Sequence, residues 1–241
     1  MSHSRRYFVA ASLAALVAGC GERTTDLTRR PGPDWPQQRR SRTRSRTRSR
    51  RVVKPPPAQR MHRPKPAQDP LRLSAIDRSQ WSKAGPMPSR LDRMGSINRI
   101  TVHHEGIKPR WFSDFGSTAR HLELLRHSHV KSRRFGDIGY HYIIDRNGRI
   151  WEGRPIAYQG AHAGGANNRH NIGVMVLGNF DRQQPTGYQL STLVDTIRKL
   201  QRQYRIPVSR VYTHQELSPT RCPGKTLQPR MVRFRRDGTL V

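Results

Sequence analysis

Between Arg39 and Arg51 the chain is almost wholly arginine alternating with serine and threonine, and Pro55-Pro56-Pro57 follows a few residues later. A stretch of this kind repels itself, has almost no apolar surface to bury and cannot offset the entropy lost on ordering. It divides the chain. Residues 21–70 read as an extended linker, and only residues 71–241 remain to build a core, which is enough for one domain of ordinary size. The 46 lysines and arginines against 16 acids give a formal net charge of +30 over 241 residues, so an acidic partner is expected. Two readings of the linker stay open: a solvated spacer, or a segment that clings to anionic polymer or lipid through counterion release. Its arginines are not interleaved with aromatic rings that could stack on bases, which argues against nucleic acid. No stretch reaches the roughly 20 apolar residues of a membrane span.

Residues 1–20 read as an export signal. Arg5 and Arg6 precede an apolar run from Phe8 to Ala18, which is too short to cross a bilayer as a mature helix. Ser4-Arg5-Arg6-Tyr7-Phe8-Val9 resembles a twin-arginine signal, although ordinary signals also begin with arginines. Val17-Ala18-Gly19-Cys20 resembles a lipobox, in which Cys20 would be lipidated and become the new N-terminus. A periplasmic lipoprotein is then expected. Gly21 after Cys20 favours the outer membrane, and anionic envelope polymers become candidate partners of the linker.

Beyond about Leu71 the pattern is globular. Ile100 and Val102 alternate with Arg99, Thr101 and His103, as in a half-buried strand. Leu122 and Leu125 share a helical face within 118–130. Residues 140–144 and 150–152 flank the turn Asp145-Arg146-Asn147-Gly148 and predict a hairpin. Ile172 to Leu177 is apolar enough for a central strand. Leu190, Leu193, Ile197, Leu200 and Tyr204 recur at helical spacing, and a short strand is expected over 208–212. Alternating strands and helices predict an α/β domain with a mixed central sheet flanked by helices.

Three residues carry the chemistry: His103 at a strand end, and His214 and Cys222 around the final loop. Two imidazoles and a thiolate with one open position make a catalytic zinc set, in which the pKa of water falls to about 7. A surface histidine and a buried free thiol are the plain alternatives. Cys20 is the only other cysteine, so lipidation would leave Cys222 without a disulfide partner.

Several segments, in order, resemble the type-2 N-acetylmuramoyl-L-alanine amidases, a family that includes peptidoglycan recognition proteins and phage amidase lysozymes. They are Ile100-Thr101-Val102-His103-His104, Asp137-Ile138-Gly139-Tyr140-His141-Tyr142-Ile143-Ile144, Gly160-Ala161-His162-Ala163, Asn171-Ile172-Gly173-Val174, His214-Gln215-Glu216 and Cys222-Pro223-Gly224. The lead-in Ile76-Asp77-Arg78-Ser79-Gln80-Trp81 is similar to the start of recognition-protein domains. The resemblance implies Zn2+ held by His103, His214 and Cys222, with Tyr140 and Thr220 stabilising the oxyanion. It also implies that His162, Asn168, Arg154 and His104 line a cleft for peptidoglycan or a muropeptide.

On this likeness the activity is hydrolysis of the amide between N-acetylmuramic acid and L-alanine, by a metal-activated water that Tyr140 orients. The alternative is a non-catalytic peptidoglycan-binding lipoprotein, and the presence of Cys222 favours the enzyme. His104 and Glu105 are candidates to touch substrate or a ligand. Glu216 reads as an acceptor for a ligand imidazole or as an exposed loop acid. His121, His127, His129 and His170 read as solvated surface groups, and Trp111 and Phe112 as packing or sugar-stacking aromatics.

Overall fold

In the computed structural model, which describes residues 73–240, β1 (Arg99–His104) is buried on both faces and not only on the apolar one. The expected export signal, Cys20 and the linker lie outside the described residues. Ile100 and Val102 join one apolar core, whereas Thr101 and His103, both fully buried, occupy the other face. The alternation therefore separates an apolar layer from a buried polar one, not core from solvent. Thr101 satisfies its hydroxyl by donating to Asn171 Oδ1 at 3.0 Å.

Among the described residues, β1, β2 (Tyr142–Ile144), β3 (Ile150–Glu152), β4 (Asn171–Val176) and β5 (Val211–Thr213) form one sheet in the order β3-β2-β4-β1-β5. The β2/β4, β4/β1 and β1/β5 pairs are parallel, and β3 is antiparallel to β2. This is the mixed sheet expected. The β2–β3 turn is held by Asp145, whose Oδ1 accepts the N–H groups of Asn147 and Arg149 while Oδ2 accepts Trp151 Nε1–H at 2.8 Å. The β3 edge is covered by the lead-in segment, where Ile76 exchanges backbone bonds with Ile150 and Glu152. Trp81 Nε1–H donates to the Glu152 carbonyl there.

Helices cover both faces. α1 (Phe115–Ser132) starts at Asp114, whose carboxylate accepts Ser117 N–H at 2.7 Å. Its Leu122 and Leu125 pack with Ile143, Trp151, Met175 and Leu177. α2 (Gly187–Tyr204) starts in a reciprocal box between Thr186 and Gln189 and ends at Arg205 in a left-handed conformation. Leu193, Ile197 and Leu200 are wholly buried against Ile100, Val102, Ile172 and Val174. Burial of each such side chain contributes about 1.5–3 kcal/mol.

The strand expected over 208–212 begins later. A 3-10 turn spans Val208–Arg210, with Arg210 N–H bonded to the Pro207 carbonyl, and pairing starts at Val211. α3 (Gln228–Arg236) has no counterpart in the sequence reading. Four of its nine residues are arginines, and Met231 is the residue it buries, so no apolar period marks it.

Candidate metal centre

Strand geometry places His103 on the buried polar face of β1, directly beside Met175 of β4. His214 opens the 3-10 turn that follows β5, and Cys222 lies on the next loop. The two ligand segments are clipped together by Gln215 N–H, which donates to the Cys222 carbonyl at 2.8 Å. One donor atom from each of His103, His214 and Cys222 lies within 4.8 Å of the others. The ring centroids of His103 and His214 are 4.7 Å apart.

Hydrogen bonds fix which nitrogen of His103 faces the sulfur. His162 Nε2 meets the Asn171 carbonyl at 3.2 Å, and a carbonyl can only accept, so this nitrogen carries the proton. Burial, followed by the nearby His141, holds the His162 imidazole well below its ordinary pKa. The neutral ring therefore presents an unprotonated Nδ1. That atom lies 3.0 Å from His103 Nε2, which must be the donor. His103 Nδ1 is left as a bare lone pair, 3.6 Å from Cys222 Sγ. Burial and then His162 also depress the pKa of His103, and burial depresses that of His214, so both imidazoles are neutral donors.

The donor set fits a zinc ion. Burial pushes the Cys222 thiol up to about 12, so without a cation it stays protonated. A divalent ion there would expel that proton and create the thiolate. The sulfur already receives His104 backbone N–H at 3.4 Å.

Tyr140 lies over this cluster, its ring 5.3 Å from that of His103. Burial, with some help from Cys222, raises its phenol well above the usual range, so the hydroxyl stays a donor at neutral pH. Thr220 is exposed, and its Oγ1 accepts Cys222 N–H at 3.3 Å.

Of the remaining expected site residues, Arg154 and Asn168 border an open cleft, whereas His162 and His104 are buried. His162 is 6% exposed and its ring bonds His103 and Asn171, so it positions a donor and does not line a substrate surface. His104 is also 6% exposed. Its Nδ1 accepts Phe180 N–H, and its contact with the cluster is through the backbone. Arg154 donates to the carbonyls of Ile138, Gln159 and Asp137, which spends the guanidinium on the wall of the domain. Asn168 Oδ1 accepts the N–H groups of His162 and Ala163, and so shapes the loop that delivers His162. Arg154 and Asn168 line an open cleft of about 300 Å³ together with Arg90 and Arg134.

Glu216 does not accept from a ligand imidazole; it is the exposed acid of the other reading, but not a free one. Its carboxylate accepts Thr213 N–H and two donors of Arg235 on α3, which locks the turn bearing His214 to that helix. Desolvation raises its pKa, but the Arg235 and Thr213 bonds outweigh it and bring the carboxyl to about 2. Glu105 likewise pairs with Arg110 and His121. His129, read as a surface group, is buried and accepts Gly139 N–H at 3.1 Å. His141, which the sequence reading passed over, accepts Gly173 N–H and donates to the Tyr158 carbonyl. Its position next to Tyr140 in the strand motif was the available signal.

The sequence profile of the N-acetylmuramoyl-L-alanine amidases matches residues 93–225, a span holding His103, His214 and Cys222. The chain belongs to this amidase family. Peptidoglycan-recognition protein SD of Drosophila simulans is 29% identical over 154 residues, covering 63% of this chain and 81% of that protein. Human N-acetylmuramoyl-L-alanine amidase is 31% identical over 130 residues, covering 53% of this chain but only 22% of its own length. The crystallised ectodomain complex of recognition proteins LCa and LCx, bound to tracheal cytotoxin, aligns with a TM-score of 0.57 at 26% identity. That alignment covers 64% of this chain and 92% of the other. The chain is thus similar in sequence to a named amidase and in fold to named recognition proteins.

Proposed function

We propose that this chain is a zinc-dependent N-acetylmuramoyl-L-alanine amidase that cuts the amide between N-acetylmuramic acid and L-alanine in peptidoglycan. We further propose that it is a periplasmic lipoprotein anchored through Cys20, with the outer membrane as the favoured site. The observation that carries the activity is the convergence of His103, His214 and Cys222 donor atoms within 4.8 Å, with His103 Nδ1 left bare by its hydrogen bond to His162. Family membership and the cytotoxin-bound relative support the substrate class.

His103 Nδ1, His214 and Cys222 Sγ would hold the ion, which would lend Lewis acidity to the scissile carbonyl and to the attacking water. The residues of the chain do the rest. Tyr140, protonated at neutral pH, donates to the oxygen that gains charge in the transition state, where such a bond is worth most. The Thr220 hydroxyl, already beside Cys222, is the second candidate donor and brings no charge. His162 and Asn171 hold the His103 ring in its tautomer.

The test uses the full chain, zinc and purified peptidoglycan. New free L-alanine amino termini are expected, and Cys222→Ser or His214→Ala should abolish both zinc retention and turnover. Stoichiometric zinc and tight peptidoglycan binding with no new amino termini would replace the enzyme with the binding-only alternative.

A further inference from the structure

Beside the β2–β3 turn, Trp111, Ser113, Arg146, Asn147, Thr186 and Tyr188 line an open cleft of about 610 Å³ that shares no residue with the metal centre. Trp111 and Tyr188 are 69% and 70% exposed. Three chain segments meet there and are pinned to one another. The Ser113 carbonyl accepts Asn147 Nδ2–H at 3.0 Å and a donor of Arg149. Thr186 Oγ1–H donates to the Arg146 carbonyl at 2.9 Å, and Thr192 Oγ1–H to the Gly148 carbonyl at 2.9 Å. The two rings are therefore carried by a fixed frame, although each stands in water.

Arg146 supplies the second observation. Its guanidinium lies 5.3 Å from the Trp111 ring centroid. Its Nη1 is buried, and no hydrogen-bond acceptor among the described residues meets it. The partly buried guanidinium thus has no acceptor of its own among these residues, and a carboxylate reaching its more open nitrogens would be its first partner. Its fork geometry suits a carboxylate. Aromatic faces carry partial negative charge and suit the polarised C–H face of a pyranose, while the Ser113 hydroxyl and the Asn147 amide can meet its hydroxyls.

We propose that this cleft binds an acidic pyranose within a glycan strand, with Trp111 and Tyr188 against the sugar and Arg146 against its carboxylate. The source of the acid rests on the amidase reading. Hydrolysis adds water across the lactyl–alanine C–N bond, leaving a lactyl carboxylate on the muramic acid and an ammonium on the alanine. Peptide-free glycan, the reaction's own product, is thus the ligand that matches the cleft.

Titration calorimetry on the full chain tests this with two probes: peptide-free peptidoglycan oligosaccharide, and chito-oligosaccharide of equal length, which lacks the carboxylates. Neither contains the cleavable amide, so binding is read whether or not the chain hydrolyses anything. The acidic glycan is expected to bind about tenfold tighter, the worth of one charge-assisted hydrogen bond. Arg146→Gln should erase that preference, and Trp111→Ala or Tyr188→Ala should weaken both probes. Both aromatic residues are mostly exposed, so their loss leaves the core intact. Equal binding of the two probes, binding indifferent to all three substitutions, or binding lost on adding a chelator would overturn the proposal. The last result would assign the sugar to the metal centre. Muropeptide turnover without probe binding would sink this inference alone. Probe binding without turnover would sink the amidase reading and leave an acidic-glycan site.

Discussion

His103 Nε2 and His162 Nδ1 lie 3.0 Å apart in the buried face of the sheet, and this one contact determines that His103 offers its other nitrogen to Cys222. Replacing His162 by Phe keeps the bulk but leaves the His103 N–H without an acceptor. Zinc affinity should fall by about 10–100-fold, as measured by chelator competition. Unchanged affinity would mean that the relay does not orient the donor.

Tyr140→Phe removes a phenol and leaves the three donors in place. Zinc content should be unchanged, while kcat falls by about 10²–10³ with little effect on KM, the mark of a contact made in the transition state. A proportional rise in KM would instead make Tyr140 a ground-state binding group.

The Glu216–Arg235 pair ties the turn bearing His214 to α3 across 19 residues of sequence. Glu216→Gln and Arg235→Gln should each destabilise the chain by about 1–2 kcal/mol in urea, since a charged partner remains in a half-buried site. In a double-mutant cycle the two losses should not add. Additive losses would show that the pair is incidental.

His129 and His141 are buried, and burial lowers each to about 4. Both pKa values are depressed, so the unfolded chain binds protons first as pH falls. Stability is full above about pH 6.5 and declines as pH falls to about 4, by about 1 kcal/mol per pH unit for each histidine. Melting temperature against pH should show this slope, and His129→Gln should remove part of it. A flat profile between these limits would contradict the burial of both rings.

How much was legible in the sequence depended on how local the cause was. The hairpin, α1, α2 and the central strand follow from periods of two and 3.6 and from the Asp-Arg-Asn-Gly turn, all set by neighbours in sequence. The three candidate donors were picked out by residue type and by their places at a strand end and a loop, and the resemblance then made them a ligand set, because nothing in the spacing of His103 and Cys222 shows that they meet. The roles of His162, Arg154, His104 and Glu216 were hidden. Each depends on a hydrogen bond to a group distant in sequence, such as His162 with His103 across 59 positions and Glu216 with Arg235 across 19. α3 was hidden for another reason: its arginines pack along the surface and mask a helix anchored by Met231.

Gly160 and Gly173 both abut the His162 ring, so closely that an added Cβ would sit 2.2 and 2.5 Å from its Cδ2. A chain could therefore keep all three candidate donors and still lose the arrangement that would hold an ion through a single methyl group at either glycine. Counting intact ligands in a sequence would misjudge such a variant as competent, because the defect would lie in the slot that holds the ring.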